Sequence, residues 1–295
     1  MSIALRTSLS LSLVAACLLA GEARPAAVRP GQKTALVTVV ADAGTPIRNL
    51  TAKDFSVTED GSKRDVVDAQ LSDDPLSIVL LVDTTQPPLG ASHPTQDLRS
   101  AVTTFIKIIR ASSPDAQIAL GEFAGASVTT VDFTSNNADL DKGIGRLAAN
   151  PQAVAVLLEA LADAGKKLAA RPAPRRAIVT IDLHSAEVSA DRSMKAAVTS
   201  IHDSGATLWP ITVRGASTRD DPNREDVLTK ASKANGGMRF SSIDASGLEA
   251  NLKKVAASLT SQYVVTFARP GDGAAKNVTF ETVGGQKVLL TPFMR

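Results

Sequence analysis

The stretch "SIVLLVDTTQPPLG", Ser77 to Gly90, joins an uninterrupted apolar run to an aspartate and two hydroxyl side chains. Such a run without alternation is typical of a strand that is buried on both faces of a parallel sheet. Asp83 would end this strand, and ligands of open α/β sheets bind at the carboxyl ends of the strands, where the strand order reverses. Asp83, Thr84 and Thr85 offer the oxygen ligands that hard cations prefer. Pro87, however, has no side-chain oxygen where another hydroxyl would be expected.

The same style of sequence continues through residues 73–258. Strand-like segments, namely "AQIALGEF", "SVTTVDF", "RRAIVTID", "GATLWPITV" and "MRFSS", alternate there with amphipathic segments. Leu98, Val102, Phe105 and Ile109 share one helical face. A second apolar stripe runs from Val154 to Leu168 and ends before the proline-rich "ARPAPRR". Strands that alternate with helices predict an α/β domain with a doubly wound, mostly parallel, Rossmann-like sheet.

Residues 34–72 and 259–295 are β in style. "TALVTVVAD" alternates apolar and polar residues, and Asp60-Gly61 stands between two strand-like arms, which is a strong hairpin signal. "QYVVTFARP", "KNVTFETV" and "QKVLLT" return to this style at the other end of the chain. Short strands cannot bury their apolar faces alone. We therefore expect the two segments to pair in one small β module, into which the α/β domain is inserted, with Tyr263 as a packing anchor whose hydroxyl finds a partner.

Composition excludes several function classes. Of 295 residues, 44% are hydrophobic and 21% charged, which is typical of a globular protein. The formal net charge of +2 has no basic run behind it, and aromatic residues make up only 3%. The sequence therefore lacks the basic surface and the stacking platforms of nucleic-acid-binding proteins.

The first 23 residues have the layout of a signal peptide. Arg6 precedes an apolar run from Leu9 to Ala20, and small residues around Ala23 offer a cleavage point. This run is shorter than the roughly 20 residues of a membrane span, so we predict export to the periplasm or beyond, without a membrane span, and a linker over residues 24–33. The alternative is a lipoprotein anchored at Cys17, because "LVAAC" is similar to a bacterial lipobox. The apolar run continues past Cys17, which favours plain secretion.

Five segments together carry a resemblance to a known family: "NLTAKDFSVTEDG", "PLSIVLLVDTT", "RRAIVTID", "ANGGMRF" and "LTSQYVVTFARP". They resemble the von Willebrand factor A-type domain, and their layout resembles the bacterial secreted family called VWFA-related, acidobacterial type. The match covers roughly residues 34 to 283. The resemblance implies a metal-ion-dependent adhesion site, in which Mg²⁺ or a similar ion takes oxygen ligands from three loops. An acidic group of the partner completes its octahedron.

Only part of that ligand set is present in this sequence. Asp83 matches the first carboxylate and Thr85 the first hydroxyl, whereas the second hydroxyl falls on Pro87 and the second-loop threonine on Ala155. The third loop, usually Thr-Asp-Gly, falls on Asp182-Leu183-His184, so Asp182 could serve only if the loop shifts by one residue. Mg²⁺ demands near-ideal geometry. We expect a degenerate site and no cofactor, with weak binding of Mg²⁺, Mn²⁺ or Ca²⁺ at most.

The resulting functional hypothesis is a secreted, non-catalytic binding or adhesion module whose partner is a protein or another cell-envelope component. The predicted contact surface runs through Thr84 to Ala91, Asn150 to Ala155 and Asp182 to Ser185, with Thr84, Thr85, Gln86, Asp182, His184 and Ser185 as its central residues.

Two alternatives remain open at this point. One is a metal-dependent adhesion protein that uses Asp83, Thr85 and Asp182. The other is a hydrolase that uses His184 beside Asp182 and Ser185, although no Gly-x-Ser-x-Gly nucleophile motif accompanies them.

Overall fold

A computed structural model describes residues 31–85, 94–214, 221–269 and 277–294. The predicted signal peptide, Cys17, Gln86 and Pro87 lie outside these ranges. The strands are β1 Gln32–Val40, β2 Phe55–Glu59, β3 Ser62–Arg64, β4 Val66–Leu71, β5 Leu76–Val82, β6 Gln117–Glu122, β7 Val128–Thr134, β8 Arg175–Asp182, β9 Thr207–Val213, β10 Phe240–Ser242, β11 Gln262–Ala268, β12 Val278–Thr282 and β13 Lys287–Met294. The helices are α1 Pro94–Ser112, α2 Asn137–Arg146, α3 Leu157–Ala169, α4 Asp191–Ser204, α5 Pro222–Asp226, α6 Ser232–Ala234 and α7 Ser246–Leu259. A π-helical turn, Val227–Ala231, joins α5 to α6.

The centre of the molecule is a six-stranded sheet in the order β10-β9-β8-β5-β6-β7. Its strands are parallel except for β7, which pairs antiparallel with β6. One face is covered by α1, α2 and α7, and the other by α3, α4 and the π-helical turn. All seven residues of β5 are buried, as a strand covered on both faces requires. The predicted doubly wound α/β architecture is confirmed.

The second predicted apolar stripe is correct only from Leu157 onward. Helix α3 begins at Leu157, whereas Val154 lies before it and is 42% exposed. The backbone is extended just before the helix because Ala155 forms isolated β-bridges with Ala124 and Glu187. The backbone hydrogen bonds of this segment are therefore made across the sheet edge and not within a helical turn.

The chain termini build a separate antiparallel module. β13, β1, β11 and β4 form one sheet, and β12, β2 and β3 form another. β1 pairs with β11 over seven residues, from Gln32 opposite Ala268 to Thr38 opposite Gln262. The predicted pairing of the terminal segments is confirmed, although β1 begins at Gln32, two residues before the predicted segment.

Two local predictions in this module are also confirmed. Asp60 and Gly61 both adopt positive φ, 46° and 79°, between β2 and β3, as a two-residue hairpin turn requires. The Tyr263 hydroxyl donates to the Ile47 carbonyl at 2.9 Å and accepts from the Leu50 amide at 3.2 Å. Its ring packs edge-on against Phe55 with centroids 5.6 Å apart.

One buried arginine connects the β module to the α/β domain. Arg175, at the start of β8, donates to the carbonyls of Ser72 (2.8 Å), Asp74 (3.1 Å) and Leu259 (2.7 Å). Its Nε also donates to Gln262 Oε1 at 3.2 Å. Since these acceptors lie on the segments that enter and leave the inserted domain, a single side chain fixes both connections.

Within the ranges that the structure describes, no helix is both long and apolar enough to cross a membrane.

Candidate functional site

Two aspartates leave the central sheet side by side at its carboxyl edge. β5 and β8 are parallel neighbours, with Val82 opposite Ile181, so Asp83 and Asp182 follow at the same level. The Asp83 amide donates to the Ile181 carbonyl at 2.8 Å. From β5 the chain continues to β6 and β7 on one side, and later to β8, β9 and β10 on the other. The strand order therefore reverses between β5 and β8, which is where open α/β sheets bind ligands.

The carboxylate of Asp83 is fully buried and receives four protein donors. Oδ1 accepts from the Thr85 amide (2.9 Å) and hydroxyl (2.6 Å). Oδ2 accepts from the Leu183 amide (3.1 Å) and the Ser185 hydroxyl (2.9 Å). A carboxylate offers about four lone-pair positions. The four donors therefore use the hydrogen-bonding capacity of Asp83, and they join the first loop to the third.

Burial dominates the electrostatics of Asp83. Desolvation raises the pKa of its carboxyl group, and the nearby charge of Asp182 adds to the rise, while the hydrogen bonds from Thr85 and Ser185 oppose it. The two carboxyl groups thus share one low-dielectric environment in which like charges repel.

Asp182 is also buried, and its neighbours include an arginine that sequence reasoning missed. Asp182 Oδ1 accepts from the His184 amide at 2.9 Å, and Oδ2 lies 3.4 Å from Thr212 Oγ1. Arg224 Nη1 lies 3.8 Å from Asp182 Oδ1 and donates to the Ser185 carbonyl. Arg224 is 1% exposed. No sequence signal marked it, because "DPNRED" reads as a polar helix start.

One residue of the third loop has a backbone conformation that favours glycine. His184 has a φ of 59°, in the left-handed region, and in the ungapped match to the Thr-Asp-Gly pattern it stands at the glycine. Leu183 then stands at the position of the ligand aspartate, and its side chain belongs to the apolar core. Asp182 precedes that position by one residue.

The predicted contact surface is not exposed at its centre. Thr84, Thr85, Asp182, His184 and Ser185 are all buried, at 8% exposure or less. These side chains are therefore not available as a contact surface in this structure, because the hydrogen bonds of the loops direct them inward. Gln86 lies outside the described residues.

The exposed rim of this edge lies elsewhere. Asn150, Pro151 and Gln152 are exposed, and the Asn150 amide donates to the Thr84 carbonyl at 2.6 Å. Val154 and Val188 are 42% and 54% exposed. They flank the backbone bonds between Ala155 and the segment after the third loop, so the rim places two apolar side chains in solvent beside the polar turn.

The hydroxyl of Ser185 is directed at a carboxylate. Its Oγ donates to Asp83 Oδ2 and also contacts the Thr85 hydroxyl. A Ser-His pair would need the serine hydroxyl to donate to an imidazole nitrogen. The arrangement of Asp182, His184 and Ser185 is that of a loop tied to its neighbours.

Comparisons with known proteins identify the fold. No family model and no curated protein matches the sequence. Among solved structures, a von Willebrand factor type A protein from Catenulispora acidiphila matches 87% of this chain and 71% of its own, at 13% identity and a TM-score of 0.52. The chain has the von Willebrand factor A-type fold.

Two further solved structures match the fold of this chain. The PilB minor pilin of Streptococcus sanguinis matches 64% of this chain and 62% of its own, at 12% identity and a TM-score of 0.51. Proximal thread matrix protein 1 of the mussel byssus, with a zinc-occupied MIDAS motif, matches 68% and 49%, at 12% identity and a TM-score of 0.50. The chain thus spans less than two thirds of the pilin and about half of the mussel protein. The narrower resemblance to the VWFA-related, acidobacterial-type family stays a prediction.

Proposed function

We propose that this protein is an exported, non-catalytic binding module whose A-type site works without a divalent ion. The observation that carries the proposal is the state of Asp83. Its four lone-pair positions are taken by Thr85, Leu183 and Ser185, so a metal could bind only by displacing donors from the loops that define the site.

The remaining ligand positions also fit such an ion poorly. Ala155 supplies no oxygen from its side chain, and Leu183 points into the apolar core. Among the described residues, no group of three or more histidine, cysteine, aspartate or glutamate side chains is arranged to hold a metal ion. Mg²⁺ needs a near-octahedral oxygen set, which these residues do not offer.

One observation favours the metal-dependent alternative. The mussel neighbour carries zinc in its adhesion motif, and Asp83, Thr85 and Ser185 bring three oxygens together at the corresponding edge here. The two proposals predict opposite responses to divalent cations. Thermal unfolding of the protein with 5 mM Mg²⁺, Mn²⁺ or Ca²⁺, against EDTA, separates them.

The expected size of a metal effect makes this test sharp. A ligand present at 100 times its Kd stabilises the folded state by about 2.7 kcal/mol. For a chain of this size that corresponds to a rise of roughly 5–10 °C in the unfolding midpoint. We expect no such rise. A rise that Asp83→Ala abolishes would refute the metal-independent proposal.

Binding itself is proposed to use the exposed rim formed by the turn at residues 150–152 together with Val154 and Val188. A double variant, Val154→Asp with Val188→Asp, should lose retention of the protein on immobilised cell-envelope material in the presence of EDTA. Val283→Asp is the matched control, because Val283 is 75% exposed and lies beyond β12 in the β module. Equal retention of all three proteins would refute the rim as the contact surface.

The export part of the proposal rests on the predicted signal peptide. Mass spectrometry of the exported protein should find a mature chain that begins near Arg24. A diacylated Cys17 at the new amino terminus would show that the lipoprotein alternative is correct.

A further inference from the structure

The buried acidic side chains at the carboxyl edge of the sheet have a buried cation near them, Arg224. Asp83 and Asp182 are fully buried there, and Glu187 is half-buried beside them. Glu225, which directly follows Arg224, already has two other cationic partners. It pairs with Arg214, and both of its carboxylate oxygens accept from Arg239, at 2.7 and 2.9 Å. The buried acids of the site therefore need a cation of their own, because uncompensated buried charge is unfavourable.

We propose that the guanidinium of Arg224 is a built-in cation that takes the electrostatic role of the divalent ion in metal-binding A-type sites. Its Nη1 lies 3.8 Å from Asp182 Oδ1 and donates to the Ser185 carbonyl. The Ser185 hydroxyl in turn donates to Asp83 Oδ2. The positive charge thus lies against the third loop, which the Ser185 hydroxyl joins to Asp83 of the first loop. This inference deepens the metal-independent function proposed above and rests on it.

The local sequence explains why Arg224 is held in this position. Asp221 caps helix α5 and its side chain accepts from the Arg224 amide at 2.8 Å, while Pro222 occupies the first turn. The π-helical turn follows directly, with Val227, Leu228 and Ala231 buried against the sheet. A short helix fixed at both ends therefore directs the guanidinium inward.

The contacts of Arg224 indicate that its charge matters more than its hydrogen bonds. Within the described part of the chain, its Nε and Nη2 are buried and have no hydrogen-bond partner. Arg175, by comparison, donates to three carbonyls and one side-chain oxygen. The positive field of Arg224 also reaches Glu187, where it opposes the rise in pKa that burial causes. What Arg224 contributes to this site is a cation.

A divalent ion beside Asp83 would be repelled by the guanidinium of Arg224, because both are positive and lie at the same edge of the sheet. On this proposal the chain already supplies the positive charge, so the site needs no ligand side chains at Ala155 and Leu183.

A double-mutant cycle tests the proposal through the coupling between Arg224 and Asp182. Arg224→Met keeps most of the volume and removes the charge, and Asp182→Asn keeps the shape and the acceptor for the His184 amide. Removing one member of a buried pair leaves the other charge uncompensated, whereas removing both relieves it. We expect the double variant to unfold at a higher temperature than Arg224→Met, with an unfolding equilibrium constant at least tenfold lower.

Arg175→Met provides the matched control. This variant also removes a buried arginine of the central sheet, at the first residue of β8. The partners of Arg175, however, are carbonyls and a side-chain amide. Combining Arg175→Met with Asp182→Asn should therefore give additive losses. Additive losses in the Arg224 cycle as well would overturn the proposal.

If Arg224→Met does not fold, the double variant Arg224→Met with Asp182→Asn still tests the proposal. Recovery of a cooperative unfolding transition on adding Asp182→Asn supports the built-in cation, and failure to recover one overturns it. The proposed function is tested separately by the unmutated protein in Mg²⁺ and EDTA. An EDTA-sensitive midpoint would refute metal independence, whereas an additive cycle in an EDTA-insensitive protein would refute only the role of Arg224.

Discussion

Replacing Arg175 with methionine should strongly destabilise the protein, because this side chain fixes the connections between the β module and the inserted domain. The variant leaves two buried carbonyls, those of Asp74 and Leu259, and the partly buried carbonyl of Ser72 without their donor. Each unsatisfied buried group costs about 1–3 kcal/mol. The sum over the two buried carbonyls is therefore roughly 2–6 kcal/mol before any compensation.

Compensation brings the expected loss to the lower part of that range. Burial lowers the pKa of Arg175 to about 10, and the charges of Asp74 and Asp73 offset this shift only in part. The buried charge therefore carries a desolvation cost, and removing the charge recovers some of that free energy. We expect a net loss of about 2–4 kcal/mol, in the lower part of that range. For a chain of this size the unfolding midpoint should fall by roughly 4–16 °C.

Urea and thermal unfolding would measure this loss, with Arg99→Met as the control. Arg99 is partly buried and gives both of its hydrogen bonds to a single carbonyl, that of Leu147, at 3.0 and 2.6 Å. Its loss should cost about 1 kcal/mol. Hydrogen exchange should also show β1, β11 and β8 losing protection together in Arg175→Met. Equal losses in the two variants, or loss of protection in the β module alone, would refute the role of Arg175 as the connection.

Three further variants test other parts of the structure. Gly237→Ala should destabilise the protein by more than 2 kcal/mol, since a Cβ there would lie 1.8 Å from the Leu208 carbonyl oxygen, whereas Gly145→Ala meets open space on α2 and should stabilise it by about 0.5–1 kcal/mol in urea unfolding. Burial raises the pKa of Glu187 above its usual 4.5, so its favourable contribution exists below that value and is lost as pH rises through the raised pKa. The stability of the unmutated protein relative to Glu187→Gln should therefore fall as the pH rises above about 4.5; a constant difference would contradict this sign. Tyr263→Phe should lose about 1–2 kcal/mol with its two hydrogen bonds, and an unchanged midpoint would show that water replaces them.

Much of the fold could be predicted because it depends on local periodicity. The seven buried residues of β5 read as a continuous apolar run, and the face of α1 formed by Leu98, Val102, Phe105 and Ile109 reads at helical spacing. The Asp60-Gly61 turn needs only two residues to specify it. The alternation of strands and helices then limits the possible topologies, so the edge that carries Asp83 could be located before the structure was known.

The state of the site could not be predicted in the same way. Thr84 and Thr85 are polar and follow a strand, so they read as exposed loop residues, yet they are buried. Their burial depends on partners far away in the chain: Thr84 donates to Glu122 at 2.9 Å, and Asp83 accepts from Leu183 and Ser185. The prediction for Val154 was wrong in the opposite direction: it was expected on the apolar face of a helix but is exposed. The β-bridges of Ala155 keep the backbone extended there. No local pattern encodes which distant donor reaches a given acceptor.

Arg224 shows why counting ligands along a sequence is an incomplete test of a metal site. Missing oxygens, such as those at Ala155 and Leu183, indicate that an ion would be held poorly, but they do not show what stabilises the two buried aspartates. Buried carboxylates must become neutral, accept several hydrogen bonds or meet a cation. In this protein four hydrogen-bond donors surround the carboxylate of Asp83, and the guanidinium of Arg224 lies beside Asp182. A search for degenerate A-type sites should therefore look for a buried arginine on the helix that follows the β9 strand, in addition to the loss of ligands.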